Sequence, residues 1–296
     1  MKKRTLGQSE FQISEISLGC MSLSTDAAEA KLVIDAALDA GINYFDTADL
    51  YDRGVNEQIV GAAIKEHRQN IILATKVGNR WVEGKDGWHW DTSAAYIKQA
   101  VRNSLQRLQT DYIDVYQLHG GTSDDNWDEI IETFEGLKKE GLIREYGISS
   151  IRPNVFVPFL KNSNAISNMM QFNIFDERAS EFFSSIQAAG ASVVTRGTLA
   201  KGLLTNEWRE RLKGFMSYNE AEAKDLLEKL ELHFEDVHAA ALAFNLQYEA
   251  VSSTVIGART VAQLTQNLNA YERAQSIHNI EIISNWTKHD CYTEHR

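Results

Sequence analysis

The sequence predicts an α/β protein built as a single (β/α)8 TIM barrel over residues 1–296, and three observations predict it. Short β-rich runs alternate with helical patterns, which is typical of a parallel α/β sheet. Eight such runs can be counted, and single barrels commonly reach this length. The chain contains only two prolines, Pro153 and Pro158, so we expect no long proline-rich linker to divide it.

The predicted strands and helices alternate along the chain. The strands are residues 16–18, 44–46, 71–75, 112–118, 143–148, 168–171, 192–195 and 253–256. Helical patterns cover residues 26–40, 92–109, 128–139 and 261–270, among others. Gly41 is a candidate C-terminal cap for the first helix, and Asp91 and Thr92 are candidate N-terminal caps for the second.

Two predicted features lie outside the eightfold alternation. Residues 4–14, with a turn at Gly7 and Gln8, resemble a short hairpin that could close the bottom of the barrel. Residues 219–234 form an extra charged helix between the seventh strand and its own helix. The predicted architecture is therefore a barrel with an N-terminal hairpin and one inserted helix.

Composition and charge exclude several classes of partner. The 30 lysines and arginines against 41 aspartates and glutamates give a net charge of −11, so a nucleic-acid partner is not expected. Cys20 and Cys291 are the only cysteines, which cannot build a disulfide framework or a cysteine metal cage. Apolar runs are too short for a membrane span, and no signal peptide follows Met1. We therefore expect a cytoplasmic protein without a membrane partner.

Polar residues follow three consecutive predicted strands. In such barrels the active site lies at the C-terminal ends of the strands. Asp46 ends the second strand, Lys76 directly follows the third, and His119 directly follows the fourth. The loop after the second strand adds Tyr51. These four side chains are therefore expected at one rim of the barrel.

These residue types suit proton donation. A tyrosine hydroxyl has a pKa of about 10, and a neighbouring lysine ammonium lowers it by favouring the phenolate. An aspartate paired with that lysine keeps it charged and in place, and a histidine can direct a substrate oxygen toward the tyrosine. The group therefore fits a proton donor for a carbonyl that takes up hydride. No nucleophile lies next to a base, and no metal-ligand spacing occurs, so no metal is expected. A purely structural ion pair of Asp46 with Lys76 is the alternative interpretation.

From residue 3 to residue 267 the chain resembles an aldo-keto reductase. The resemblance is carried by the phrase Gly-Ile-Asn-Tyr-Phe-Asp-Thr-Ala at residues 41–48, followed by Tyr51. It implies Tyr51 as general acid, Lys76 and Asp46 as the pair that tunes it, and His119 as the orienting residue. It also implies a nicotinamide cofactor bound without a Rossmann domain, which agrees with the lack of a G-x-G-x-x-G motif.

The resemblance also implies a cofactor site along the rim. Three segments match parts of that site in the family. The matching residues are Ser149, Ser150 and Gln171 for the carboxamide, Thr198, Leu199, Lys201 and Gly202 for the pyrophosphate, and Gly257, Arg259, Gln263, Gln266 and Asn267 for the adenosine. Backbone N–H groups at a helix start suit a phosphate. Arg259 would pair with a 2′-phosphate, so NADPH is expected over NADH.

Several positions depart from the family pattern. Relatives usually carry asparagine at the position of Ser150, proline at Thr198 and Ile256, and often glutamate at Gln266. Many place an aromatic ring against the nicotinamide where this chain has Arg196. Arg196 is therefore expected either beside the nicotinamide or, by swinging away, at the pyrophosphate.

Other candidates keep two interpretations. Trp81, Trp88, His89 and Trp90 follow Lys76 and could line a substrate pocket or pack only on their own loop. Arg259 could be a solvated charge at a helix start. His289, Cys291 and His295 lie in the tail without tight metal spacing, which favours a polar tail.

The sequence therefore predicts NADPH-dependent reduction of aldehydes or ketones, with a small carbonyl compound as substrate. It leaves open the identity of that compound and the oligomeric state. One rival is a cofactor-binding sensor similar to potassium-channel β subunits. A second is an aldolase that uses Lys76 as a Schiff-base nucleophile.

Overall fold

The computed structural model describes residues 1–82, 84 and 87–294. His295 of the predicted polar tail lies outside the described residues. In chain order the strands are β1 (Lys3–Thr5), β2 (Gln12–Ser14), β3 (Ile16–Gly19), β4 (Tyr44–Asp46), β5 (Ile72–Val77), β6 (Asn79–Trp81), β7 (Trp88–Trp90), β8 (Ile113–His119), β9 (Ile143–Ser149), β10 (Ser167–Gln171), β11 (Ser192–Arg196) and β12 (Val251–Ile256).

The helices are α1 (Ala27–Asp39), α2 (Val55–Ile64), α3 (Ala94–Leu108), α4 (Trp127–Lys139), α5 (Pro153–Asn162), α6 (Phe183–Ala188), α7 (Glu220–Phe234), α8 (Val237–Leu246) and α9 (Val261–Ala274). Short 3₁₀ segments follow several strands, at Cys20–Ser22, Tyr51–Gly54 and Ala200–Gly202, and others lie at Lys65–Asn70, Arg178–Phe182, Trp208–Arg211 and Ile280–Asn285.

Eight parallel strands close into a barrel in the order β3-β4-β5-β8-β9-β10-β11-β12. This confirms the predicted (β/α)8 fold, and each predicted strand agrees with an observed one to within two residues at either end. The intervening helices pack their apolar faces on the barrel. In α3, for example, the buried residues Ile97, Ala100, Val101, Ser104 and Leu108 recur at helical spacing.

The N-terminal hairpin of β1 and β2 closes the bottom of the barrel, as predicted. The Gly7 amide donates a hydrogen bond to Ser192 Oγ at 2.7 Å, and Ser252 Oγ donates to the Thr5 carbonyl at 2.7 Å. Hairpin side chains also pack with the barrel interior. That buried cluster contains Leu6, Ile13, Tyr44, Ile72, Ala74, Val115, Ile166, Met169, Val194 and Val255. The interior is therefore filled, which leaves the opposite end for a site.

Two local predictions were incomplete or wrong. The N-terminal cap of α3 is Ser93, whose side chain accepts from the Tyr96 amide; Asp91 instead accepts from Ser93. Residues 77–90, expected as a loop, contain the antiparallel hairpin of β6 and β7. The extra helix was predicted correctly as α7, which begins with a capping box between Asn219 and Glu222.

Within the described ranges, no helix is both long and apolar enough to cross a membrane. The same residues contain no cluster of histidine, cysteine and acidic side chains that could hold a metal ion.

Candidate active site

Four polar side chains meet at the C-terminal rim of the barrel. Lys76 Nζ lies 2.6 Å from Asp46 Oδ2 and 3.4 Å from Tyr51 Oη. It also donates to the Thr47 carbonyl at 2.7 Å. The rings of Tyr51 and His119 meet edge to face, with centroids 6.1 Å apart. The structure thus brings together the four side chains that the sequence pattern placed at one rim.

Strand register explains this convergence. Asp46 pairs with Ala74, two residues before Lys76, and Lys76 pairs with Gln117, two residues before His119. Parallel strands without a register shift at these pairs therefore end at the same rim. Gln117 was not predicted as part of the group, yet its amide nitrogen lies 3.3 Å from Asp46 Oδ1 and helps to orient that carboxylate.

Tyr51 is held by a strained turn. Asp52 and Arg53, directly after it, have φ values of 47° and 55°, in a backbone region that residues other than glycine rarely adopt. The indole Nε1 of Trp81 donates to the Leu50 carbonyl at 2.9 Å, which ties the β6–β7 hairpin to this turn. These contacts fix the turn, and with it the tyrosine, over the rim.

Burial controls the protonation states. It raises the pKa of Tyr51 above the usual 10; Lys76 lowers that pKa, as expected, but does not outweigh burial. The predicted effect of Lys76 on the Tyr51 pKa is thus present, and burial sets the net direction. Burial opposes the charge of Lys76, yet the adjacent Asp46 raises its pKa overall, so the ammonium stays charged. Burial, then the charges of Lys76 and Arg196, lower the pKa of His119 to about 3, so its imidazole is neutral at neutral pH.

A cavity of about 1040 Å³ opens above these residues. It runs from Tyr51 and His119 at one end to the start of α9 at the other. Fifteen of the seventeen predicted site residues line it, namely Asp46, Tyr51, His119, Ser149, Ser150, Gln171, Arg196, Thr198, Leu199, Lys201, Gly202, Gly257, Gln263, Gln266 and Asn267. Lys76 lies beneath its floor, with a side chain only 1% exposed. The exposed Arg259 is not in the described wall, although its backbone amide donates to Gln263 Oε1 at 2.8 Å.

The cavity has polar atoms near both of its ends. Buried polar atoms without a hydrogen-bond partner among the described residues lie near both ends, at His119 Nδ1 and His238 Nε2. Gly257 lets the turn before α9 approach the rim closely, because a Cβ there would lie 2.2 Å from Ser22 Oγ. The volume is at the upper end of small-molecule pockets. The residues present therefore match a long ligand with polar groups at both ends.

Arg196 lies at the end of the cavity near Tyr51 and His119. Its Nη1 is 3.4 Å from Gln171 Oε1, and its charge lowers the pKa of Tyr51 and of His119. The Gln171 amide nitrogen donates to Asp176 Oδ2 at 2.8 Å. Arg196 therefore lies near Tyr51, His119 and Gln171, and its place relative to the nicotinamide and the pyrophosphate stays a prediction.

The tryptophans after Lys76 were expected either to line a substrate pocket or to pack only on their own loop, and each interpretation holds for some of them. Trp88 and Trp90 line the cavity, whereas Trp81 makes the turn contact described above, and the described cavity wall does not include Trp81 or His89. Gly120 lets Trp90 come close, because a Cβ there would lie 2.8 Å from the indole Nε1. Its φ of +99° also suits glycine alone.

Several lining residues were missed by sequence reasoning. They include Met21, Ser22, Asn79, Arg152, Asn206, Glu207, Arg211, Phe215, His238, Asn269 and Arg273. Asn269 and Arg273 continue the face of α9 that carries Gln266, so helical spacing could have found them. The others lie on loops or other helices, where sequence spacing gives no signal.

Comparison with known proteins agrees with this geometry. Residues 15–287 match the model of the aldo/keto reductase family. The chain is 50% identical to the uncharacterized oxidoreductase YqkF of Bacillus subtilis (strain 168), with all of both chains covered. It is also 50% identical to the holo form of aldo-keto reductase AKR11C1 from Bacillus halodurans, with a TM-score of 0.93 and coverage of 100% and 99%. The apo form of that protein is 47% identical to this chain and has a TM-score of 0.85, with the same coverage. The chain belongs to the aldo/keto reductase family of oxidoreductases.

Proposed function

We propose that this protein reduces aldehydes or ketones to alcohols with NADPH as hydride donor. The observation that carries the proposal is the chain of contacts at the cavity floor, in which Asp46 holds Lys76 and Lys76 reaches the Tyr51 hydroxyl at 3.4 Å. We further propose that residues 1–296 act as one domain. Cys20 and Cys291 are both free thiols, which supports a reducing, cytoplasmic location.

Tyr51 is the proposed general acid. Its raised pKa keeps the hydroxyl protonated at neutral pH, so a proton is available for the carbonyl oxygen. The Lys76 ammonium stabilises the phenolate that remains, and Asp46 keeps Lys76 charged. The neutral His119 imidazole can donate a hydrogen bond to the same oxygen and orient it toward Tyr51. The tyrosine recovers its proton from solvent after the alcohol leaves.

The residues of the cavity wall support an assignment of the cofactor contacts. We assign Ser149, Ser150 and Gln171 to the carboxamide and residues 198–202 to the pyrophosphate, with Gly257 and α9 at the adenosine. Arg259, exposed beside the start of α9, is assigned to the 2′-phosphate. A reduced nicotinamide bound here would supply the hydride to the carbonyl carbon. The neighbouring Lys201, which lines the same cavity, adds positive charge for the phosphates.

The Schiff-base aldolase is disfavoured by the environment of Lys76. A nucleophilic lysine must lose its proton, but Asp46 holds this ammonium at 2.6 Å and its pKa is raised. Borohydride treatment with a carbonyl substrate checks this point, and we expect no covalent adduct on Lys76.

A potassium-channel-type sensor would bind the cofactor with negligible turnover, so a measurement of turnover distinguishes it from a reductase.

The test is a panel of aldehydes and ketones assayed by the loss of reduced-nicotinamide absorbance, with NADPH and with NADH. We expect turnover that favours NADPH. Tyr51→Phe should lose on the order of 10²–10⁴-fold in kcat, because it removes the proton donor and keeps the ring. Tyr112→Phe, at the bottom of the barrel, removes a hydroxyl far from the rim and should retain activity. A Tyr51→Phe variant with more than half of the normal turnover would rule out this assignment.

A further inference from the structure

Arg152 projects a cation into the catalytic end of the cavity. Its guanidinium lies over the ring of Trp90, 4.5 Å from the centroid, and its Nη1 donates to the Gly121 carbonyl at 3.3 Å. Among the described residues it has no ion-pair partner. A guanidinium has five N–H donors, so most of its hydrogen-bonding capacity is unused by these contacts.

The neighbouring carboxylates are occupied elsewhere. Asp125, on the adjacent loop, accepts from the Thr92 hydroxyl and from the Thr122 amide. Of the acids that line the described cavity, Asp46 is paired with Lys76, and Glu207 lies at the far end, near Gln266 and Arg211. The substrate end therefore carries uncompensated positive charge, although the chain as a whole has a net charge of −11.

Arg152 lies on the loop after β9 and lines the same cavity as Tyr51 and His119. His119 pairs with Ser149 in the barrel register, and Arg152 follows three residues later. Arg152 therefore follows the end of β9, beyond the strand ends that carry His119 and Ser149. Trp90 covers one face of the guanidinium, and apart from the Nη1 bond to Gly121 its edge N–H groups have no partner among the described residues. Such an edge can bind a carboxylate in a bidentate manner.

Building on the proposed function, we propose that Arg152 binds a carboxylate of the substrate. The preferred substrates would be oxo-carboxylates, with an aldehyde or ketone at one end and a carboxylate several atoms away. Trp88 and Trp90 would pack on the carbon chain or ring between the two groups. Arg152 is thus a specificity-determining residue that holds the substrate while Tyr51 and His119 act on its carbonyl.

The first test compares two probes of similar shape and different charge. 4-Formylbenzoate and 4-formylbenzamide carry the same aldehyde, but only the first is anionic at neutral pH. We expect the wild-type protein with NADPH to favour 4-formylbenzoate by about tenfold or more in kcat/KM, mainly through KM, because charge-assisted hydrogen bonds are strong. Arg152→Gln should bring the ratio close to one, and Arg152→Lys should keep part of it.

The matched control removes the same charge elsewhere. Arg102 is exposed on α3, and its guanidinium lies 3.8 Å from Glu140 on the outside of the barrel. Arg102→Gln should leave the ratio unchanged. The ratio is measured within one protein preparation, so a loss of folded protein cannot imitate the effect. A wild-type ratio near one, or an Arg152→Gln ratio equal to that of wild type, would overturn the proposal.

A binding measurement separates this proposal from the reductase assignment. Calorimetric titration in the presence of NADP⁺ compares 4-(hydroxymethyl)benzoate with 4-(hydroxymethyl)benzamide. We expect tighter binding of the carboxylate and loss of that difference in Arg152→Gln. If neither these aldehydes nor any compound of the panel is reduced, the proposed function is wrong. The titration still decides the role of Arg152, because equal affinities in wild type count against it.

Discussion

At the scale of single residues, the protonation state of each side chain in the candidate site depends on its surroundings. Tyr51, Lys76 and His119 could be named from sequence, but their protonation follows from burial and distance. Burial keeps Tyr51 protonated and His119 neutral, while Asp46 keeps Lys76 charged. This distribution suits a tyrosine that gives up a proton only when a partner oxygen develops negative charge.

Arg196 provides a residue-scale prediction. The family resemblance implies that many relatives have an aromatic ring at this position, and the charge of Arg196 lowers the pKa of Tyr51 and of His119. Oxidised nicotinamide is cationic and reduced nicotinamide is neutral, so a nearby guanidinium should weaken NADP⁺ more than NADPH. Two charges 4 Å apart interact by about 4 kcal/mol at an effective dielectric of 20, and water at this exposed residue reduces that value. Arg196→Tyr should therefore bind NADP⁺ several-fold more tightly, with little change for NADPH.

The measurement is the pair of dissociation constants, for NADP⁺ and NADPH, on wild type and Arg196→Tyr. Parallel weakening of both cofactors would place the guanidinium at the pyrophosphate instead. A ratio of the two constants that does not change would contradict the electrostatic argument.

At the scale of elements, the start of α9 combines several local interactions. Thr260 caps the helix by accepting from the Gln263 amide, and Gln263 in turn accepts from the Arg259 amide. This arrangement fixes the backbone of the turn while leaving the Arg259 side chain exposed. An exposed arginine at a helix start can meet a phosphate that projects from the cavity.

The element-scale prediction is that Arg259→Ala weakens NADPH much more than NADH, because only NADPH carries the 2′-phosphate. A charge-assisted hydrogen bond contributes about 1.5–3 kcal/mol, which corresponds to a roughly 10–150-fold loss, and exposure favours the lower end. Fluorescence titration with both cofactors measures this, and NADH is the internal control. Equal losses for the two would show that Arg259 is only a solvated helix-start charge.

At the scale of the whole molecule, one buried carboxylate should make stability depend on pH. Asp49 is 9% exposed, its Oδ1 has no hydrogen-bond partner among the described residues, and its Oδ2 lies 3.4 Å from the Tyr96 hydroxyl. Burial, followed by the charge of Glu57, raises its pKa to about 8. An unfolded aspartate has a pKa of about 3.9, so the native state binds the proton more tightly. Stability from this residue is therefore lost as pH rises from about 4 to 8.

Asp49→Asn removes this titration and keeps the shape of the side chain. We expect the variant to be more stable than wild type at pH 8, by about 1 to a few kcal/mol, with a flatter pH dependence between pH 5 and pH 8. Urea unfolding at several pH values measures the free energy of unfolding. Asp124→Asn, on an exposed turn, is the control and should follow wild type. If the free energy of unfolding depends on pH in the same way for wild type and Asp49→Asn, the prediction is wrong.

Much of the fold was predictable because it depends on local patterns. The eight strands, the hairpin at residues 4–14 and the helix at residues 219–234 each carry their own periodicity or turn residues. The β6–β7 hairpin was missed although Asp86-Gly87 is a turn signal in the sequence, because its two strands have only three residues each and are not joined by a two-residue turn. The cap of α3 was misplaced by one or two residues, since Asp91, Thr92 and Ser93 are all acceptable caps in sequence.

The sequence by itself determined the barrel and the order in which Asp46, Tyr51, Lys76 and His119 reach its rim. Strand spacing and parallel register are enough for that, because each strand end carries its residue to the same edge. Only the tertiary structure decided the net pKa of Tyr51, which depends on how much protein surrounds its hydroxyl.

The tertiary structure also decided that Arg152 meets Trp90 and faces the cavity without a carboxylate partner in the described chain. These two residues are far apart in sequence, and their contact depends on how a hairpin after β5 folds over the end of β9. The burial and the charge pairing of a side chain depend on neighbours from distant parts of the chain. The patterns that predict strands and helices involve only residues close in sequence.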